Sequence, residues 1–83
     1  DGLELSAKNT SRDYDTRTVL LEGDVKISVN GDSISCDKAS INLKTSEILA
    51  EGHVKLESKD IYIEGEKIKY NYKTKLGLIE KGL

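Results

Sequence analysis

The sequence has no proline, phenylalanine, tryptophan or methionine, and its only aromatic side chains are four tyrosines. These absences argue against a conventional globular core built on large aromatic residues. A single cysteine cannot form an internal disulfide. No apolar run approaches the roughly 18 residues of a membrane-spanning helix, so no transmembrane segment is predicted.

An excess of charge of one sign is also lacking. Thirteen basic and fifteen acidic residues are interspersed along the chain, and the net charge is -2. No basic field is available to attract nucleic acid or anionic lipid, so we expect no nucleic-acid partner. Catalysis requires groups that converge, and the acidic residues here alternate with lysines along one face. The sequence therefore predicts no enzyme, no metal site and no cofactor.

What is present is an internal repeat of 29 residues. Ten of the 29 positions are identical between residues 18–46 and 47–75, whereas chance gives about two at average usage. Thr16, Thr45 and Thr74 stand at the same repeat position, which predicts three equivalent turns. The chain starts and stops inside a repeat, so we predict a single domain over residues 1–83 that is a fragment or truncated module of a longer chain.

Each repeat alternates apolar and polar residues with a period of two, as a half-buried strand does. From Val19 to Val29 every second residue faces one side, and Ile48 to Leu56 repeats the pattern. Turns are predicted at 30–32 and 58–60. The inward phase then slips by one residue at Asp37-Lys38 and again at Glu66-Lys67, which predicts a bulge or corner. The inward residues around the slips are Ile34, Cys36, Ala39, Ile41 and Leu43 in one copy, and Ile61, Ile63, Gly65, Ile68, Tyr70 and Tyr72 in the other.

Individual residues that might carry chemistry have structural interpretations in this frame. Cys36 aligns with Gly65, so a small inward residue is favoured over a nucleophile. His53 aligns with Asp24 and is expected to be a solvated strand residue. Gly23 and Gly52 lie in mid-strand, where they mark a bend or a close backbone approach. Leu20, Leu49 and Leu78 recur on the polar face, either under the curl of the sheet or in contact with another chain.

The function is therefore expected on a surface. An aliphatic inner face without large aromatics suits either a thin dry core or a slot for an elongated apolar ligand such as an acyl chain. Tyr70 and Tyr72 share this face, and inward packing is favoured over base stacking. The predicted lipid-contacting interior is Leu21, Val25, Ile27, Ile34, Cys36, Ile41, Leu43, Ala50, Val54, Leu56, Ile63, Ile68, Tyr70 and Tyr72.

Four segments in series resemble the OstA-like repeats of bacterial lipopolysaccharide transport: Leu21–Ile27 (LEGDVKI), Ile34–Ala39 (ISCDKA), Ala50–Leu56 (AEGHVKL) and Ile63–Tyr70 (IEGEKIKY). The closing segment Tyr72–Gly82 is most similar to the periplasmic N-terminal domain of the LptD branch, followed by LptA-like and LptC-like modules. Departures from the family pattern are Cys36 and Gly65 in place of alanine, and Glu66 in place of aspartate.

The resemblance implies a curled antiparallel β-jellyroll with open edges, located in the periplasm, alone or as part of an outer-membrane protein. It further implies an interior that takes the acyl chains of lipid A, and stacking with other Lpt modules or with itself by strand pairing. Unpaired edges invite such augmentation, and the candidate edge residues are Leu3, Leu5, Leu76, Leu78 and Ile79. A self-assembling β-solenoid scaffold with a dry core is the alternative. A polysaccharide-active β-helix enzyme is disfavoured because no acidic cluster recurs on one face.

Overall fold

The computed structural model describes residues 2–74 and 76–80, and side chains through Thr74. These residues form one antiparallel sheet of seven strands, which confirms the all-β prediction. The period-two alternation places aliphatic residues on one side of each long strand and charged residues on the other. The strands are β1 Leu3–Ser6, β2 Asn9–Asp13, β3 Thr18–Val29, β4 Asp32–Asn42, β5 Glu47–Glu57, β6 Tyr62–Asn71 and β7 Leu76–Glu80.

From β3 to β7 the sheet is a meander in which each strand pairs with its neighbours in sequence, whereas β1 and β2 both pair with β3. Its order is β1-β3-β4-β5-β6-β7, and β2 lies beside β1 on the same edge of β3. The hairpins β3–β4 and β5–β6 have the same register, since Thr18 pairs with Asn42 and Glu47 pairs with Asn71. In the described part of the chain β1, β2 and β7 are the outermost strands, so the sheet is open at its edges, as predicted.

Both long hairpins bend at a bulge in the middle. In β3, Gly23 and Asp24 stand opposite the single residue Asp37 of β4. Gly52 and His53 of β5 similarly stand opposite Glu66 of β6. All four bulge residues have positive φ, between 47° and 85°, a region that glycine adopts freely and that aspartate and histidine tolerate better than most residues. The predicted slip in inward phase is therefore real, and the extra residue lies on β3 and β5.

The line of bulges divides the sheet into two halves. Half A contains β2, β7 and segments 18–22, 38–42, 47–51 and 67–71, and half B contains β1 and segments 25–29, 32–36, 54–57 and 62–65. The apolar faces of the two halves together make a single core. The rims opposite the bend come close enough for the Asn30 side chain to donate a hydrogen bond to the Tyr72 carbonyl at 3.2 Å.

The three predicted turns share one hydrogen-bonding motif. The Oδ1 atom of Asn42 accepts hydrogen bonds from the Lys44 and Thr45 amides at 2.9 and 3.1 Å. Asn71 does the same for Lys73 and Thr74, and Asp13 for Asp15 and Thr16. The equivalence of the turns is confirmed, and the side chain that forms each turn is the Asx residue three positions before the threonine.

Two residues expected to face inward do not. Leu43 is 39% exposed because β4 ends at Asn42 and Leu43 belongs to the turn. Ile61 is 57% exposed because it lies in a turn before β6, where its carbonyl accepts a hydrogen bond from the Ser58 amide at 2.8 Å. The alternation of apolar and polar residues continues beyond the end of β4 and before the start of β6. The extended backbone that turns alternate side chains inward does not continue there.

Candidate functional site

The interior between the two halves is the candidate site. Its walls are almost wholly aliphatic, and most of its side chains are at most 2% exposed. Eleven of the fourteen predicted residues are buried there, Ile63 and Tyr72 are partly buried against it, and Leu43 lies outside. Four further members were left out of the predicted set although they share its alternation: Val19, Val29, Ala39 and Ile48.

One charged residue is buried in this apolar setting within the described chain. Asp32 is 4% exposed, and its carboxylate accepts hydrogen bonds from Ser58 Oγ at 2.5 Å and from Tyr70 Oη at 2.6 Å. Asp32 was predicted to lie in a turn, and its role in the interior was not predicted. The signal was present, because Asp32 stands two residues before the inward Ile34 and so shares its phase.

Burial and hydrogen bonding fix the protonation of two interior groups. Burial, and then the hydrogen bond to Asp32, raise the pKa of the Tyr70 hydroxyl, which therefore stays a donor. Burial raises the pKa of the Cys36 thiol, whose Sγ contacts the Lys38 carbonyl at 3.2 Å. A thiol held protonated is a poor nucleophile, so Cys36 has a packing role.

The outer face of the sheet is charged. Glu22, Lys38, Glu51 and Lys67 stand side by side across four strands, with ion pairs of 3.8 Å for Lys38–Glu22 and 3.3 Å for Lys67–Glu51. These pairs are largely exposed and contribute little to stability. No cluster of three metal-ligating side chains occurs in the described part of the chain.

His53 lies on the outer face at the bend. Its Nδ1 atom is 2.8 Å from Asp37 Oδ2, and this hydrogen bond is the main cause that raises the pKa of the imidazole. The side chain is 81% exposed. The expectation that His53 is solvated agrees with the structure. Its hydrogen bond with Asp37 was not predicted from the sequence.

A shallow groove of about 440 Å³ also runs over the outer face of half A. Leu20 and Leu49 line it on either side of Ser40, with which both are in register. Leu20 is 51% exposed, so the curl of the sheet does not cover it.

The candidate edge residues fall into two groups. Leu3 and Leu5 of β1 are partly buried against the core. Leu76, Leu78 and Ile79 belong to β7, which pairs with β6, and their side chains lie outside the described ones.

The fold and its interior were then compared with known proteins. The family model described as "Lipopolysaccharide-assembly, LptC-related" matches residues 3–81, nearly the whole chain. The chain belongs to this family. The resemblance to lipopolysaccharide-transport modules is therefore confirmed, while the first-ranked LptD branch is not, because the matching model is that of the LptC-related branch named after it.

Family membership settles the coarse function. The LptC-related family consists of transport scaffolds, so the prediction of a non-enzymatic protein is confirmed. Its homologues are periplasmic components of lipopolysaccharide transport. The described residues contain no helix long and apolar enough to cross a membrane.

Two other comparisons add less. The search of curated proteins found no match. Among solved structures, the chain is similar to LptH, the LptA homologous periplasmic component of the lipopolysaccharide transport device from Pseudomonas aeruginosa. That similarity covers 98% of this chain and 83% of LptH, at 10% sequence identity and a TM-score of 0.48. A likeness of this strength carries no argument about function.

Proposed function

We propose that this chain is a periplasmic lipopolysaccharide-transport module whose interior shields the acyl chains of lipid A. The observation that carries the proposal is the contrast between an aliphatic interior and a charged exterior on one continuous sheet. Such an interior offers an elongated ligand no hydrogen bonds except near Asp32. Acyl chains match that chemistry, since each buried methylene contributes about 0.8 kcal/mol.

The shape of the interior supports an elongated ligand. The apolar rows run across the sheet from strand to strand; one of them is Leu5, Ile27, Ile34, Leu56 and Ile63. A ligand that replaces contacts along such a row lies perpendicular to the strands and extends toward the open edges. A module of this kind can pass its ligand to a neighbouring module whose strands extend the sheet.

Modules stack by strand pairing in this proposal. The 29-residue repeat makes β7 equivalent to β3 and β5, and β2 equivalent to parts of β4 and β6. The outer edge of β7 thus has the register that pairs with a β2-type strand. A neighbouring module of the same kind, presenting β2, extends the sheet and its apolar rows without a break.

The test of the lipid site is photocrosslinking to lipopolysaccharide. A small diazirine-bearing residue is placed at Ile27, Val54 or Ile68, which are at most 1% exposed. Lys26 and Lys55, their exposed neighbours on the same strands, are the matched controls. Adducts at the three interior positions and none at the lysines support transport, whereas adducts that favour the lysines contradict it.

Stacking is tested by disulfide trapping. Ser40 pairs with Leu20 along the edge that β3 shares with β4, and Ser11 and Leu78 are the repeat equivalents of Ser40 and Leu20. Mixing a Ser11→Cys protein with a Leu78→Cys protein is therefore expected to give a covalent heterodimer under mild oxidation. A mixture of Lys26→Cys with Leu78→Cys is the control. Equal trapping in both mixtures would contradict the proposed register.

The second candidate function is a self-assembling scaffold with a dry core. It is favoured by one observation, that the interior side chains are packed against one another. A scaffold gives no adduct at any position and forms filaments whose length grows with protein concentration. Light scattering on the same samples separates the two functions.

A further inference from the structure

The interior is closed in this structure. Ile41, Ile48 and Ile68 of half A and Ile27 of half B are all 0% exposed. Because these residues belong to one folded sheet, each half buries the face of the other. An acyl chain can reach these side chains only when the two halves move apart.

The rims opposite the bend hold the halves together. Asp32 begins β4 at the far end of half B, and Tyr70 lies near the far end of β6 in half A. Their hydrogen bond is not part of the strand ladder, since Tyr70 pairs with Ile48 and Asp32 pairs with Val29. The nearby hydrogen bond from Asn30 to the Tyr72 carbonyl spans the same two rims.

The chemistry of this contact makes it releasable. A buried carboxylate is costly unless its oxygens are hydrogen-bonded, so the hydrogen bond from the Tyr70 hydroxyl stabilises the closed state. When the halves part, Tyr70 and Asp32 both gain water, and Ser58, on the same half as Asp32, can keep its hydrogen bond. An aliphatic contact at the rim would instead expose apolar surface on opening, which is unfavourable.

We propose that the Asp32–Tyr70 hydrogen bond is a latch across the mouth of the interior, and that its release admits an acyl chain. The latch rests on the proposed function, because it assumes that the interior is where acyl chains go. The glycines of the bulge line, Gly23 and Gly52, lie at the opposite side of each half, where a pivot is needed.

The test compares two tyrosines that make the same bond on opposite faces. Tyr70→Phe removes the latch hydroxyl and keeps the buried ring. Tyr62→Phe removes a hydroxyl that donates to Glu64 at 2.6 Å on the exposed face, and it is the matched control. The readout is the stopped-flow association rate of cis-parinaric acid, a fluorescent long-chain fatty acid.

Tyr70→Phe is expected to take up the probe about tenfold faster than wild type, because a factor of ten corresponds to the free energy of about one hydrogen bond to a charged acceptor. Tyr62→Phe is expected to match wild type.

A second variant holds the mouth shut. Asn30→Cys with Tyr72→Cys, in a Cys36→Ala background, is bridged by a short bismaleimide, and the same protein capped with N-ethylmaleimide is its control. Bridging is expected to slow uptake by tenfold or more relative to the capped protein. The latch is overturned if Tyr70→Phe takes up the probe at the wild-type rate, or if the bridged and capped proteins take it up equally. Absence of probe binding to every form overturns the acyl-chain function and the latch together, and so differs from the first two results.

Discussion

The two faces of this sheet share every strand and yet differ in almost every property. The inner face carries aliphatic side chains with exposures close to zero, and the outer face carries exposed ion pairs. Each 29-residue copy repeats this division into inner and outer residues, and each long hairpin has its own bulge. The difference teaches that the buried aliphatic residues of the inner face determine the fold, whereas the charged residues of the outer face mainly keep the protein soluble.

The comparison also holds for single polar contacts. Tyr70 and Tyr62 each donate a 2.6 Å hydrogen bond to a carboxylate. The inner bond joins the two halves of the sheet across 38 residues of sequence, and the outer bond joins residues two apart. A hydrogen bond from tyrosine to a carboxylate therefore joins the two halves of the sheet on the inner face, whereas on the outer face it links only residues of one strand.

The largest expected effect comes from placing a charge on each face in turn. Val54→Asp buries an unpaired carboxylate in the core and should cost about 4 kcal/mol of unfolding free energy. Lys55→Asp, the next residue on the same strand, changes an exposed position opposite Glu64 and should lower the urea midpoint only slightly, by the repulsion of two exposed carboxylates. A wild-type midpoint for Val54→Asp would mean that Val54 does not face inward.

The next effect concerns the bend that gives the sheet an inside. Gly52 has φ of 82°, and a Cβ there would lie 2.7 Å from Asp37 Oδ2. Gly31, in the β3–β4 turn, has nearly the same φ and open space around it. Gly31→Ala should cost about 1 kcal/mol for its backbone alone. Gly52→Ala should cost about 2 to 3 kcal/mol, because Asp37 must also move. Equal urea midpoints would show that the close approach is unimportant.

A smaller effect separates the two tyrosine hydroxyls in stability. Tyr70→Phe leaves the Asp32 carboxylate with one donor fewer in a buried setting and should lower the unfolding free energy by about 1.5 kcal/mol. Tyr62→Phe should leave the midpoint unchanged, because water replaces its partner. Similar losses of unfolding free energy in both variants would show that the inner hydroxyl contributes no more to stability than the outer one.

The smallest effect belongs to His53 on the outer face. Its pKa is raised above the ordinary 6.5 by Asp37, so the folded state binds the proton more tightly than the unfolded chain does. The stabilisation is complete below pH 6.5 and is lost as the pH rises through the folded-state pKa. The midpoint difference between wild type and His53→Asn should therefore be larger at acidic than at alkaline pH. A difference that does not change with pH would contradict the Asp37 pairing.

Most of the strand pattern could be predicted from the sequence, because a period of two and a repeat of 29 residues report directly which face each residue takes. The failures occur at strand ends. Leu43 and Ile61 continue the alternation, yet each lies in a turn where the backbone no longer orients side chains alternately.

The candidate site was only half predictable for a related reason. Its aliphatic members are visible in the alternation. The Asp32–Tyr70 contact joins residues 38 apart that are not neighbours in the strand ladder, so it depends on how the bend folds one half onto the other. Sequence pattern places Asp32 on the inner face but gives no information on the residue that meets it there.

The most direct measurement of the central claim uses the isoleucine methyl groups as reporters. In a selectively labelled protein, lipopolysaccharide should shift the methyl signals of Ile27, Ile34, Ile41, Ile48 and Ile68, which are at most 2% exposed. The methyl of Ile61, which is 57% exposed, should not move, and deacylated lipopolysaccharide should shift none of the six. Shifts confined to Ile61, or equal shifts with the deacylated form, would contradict an interior that shields acyl chains.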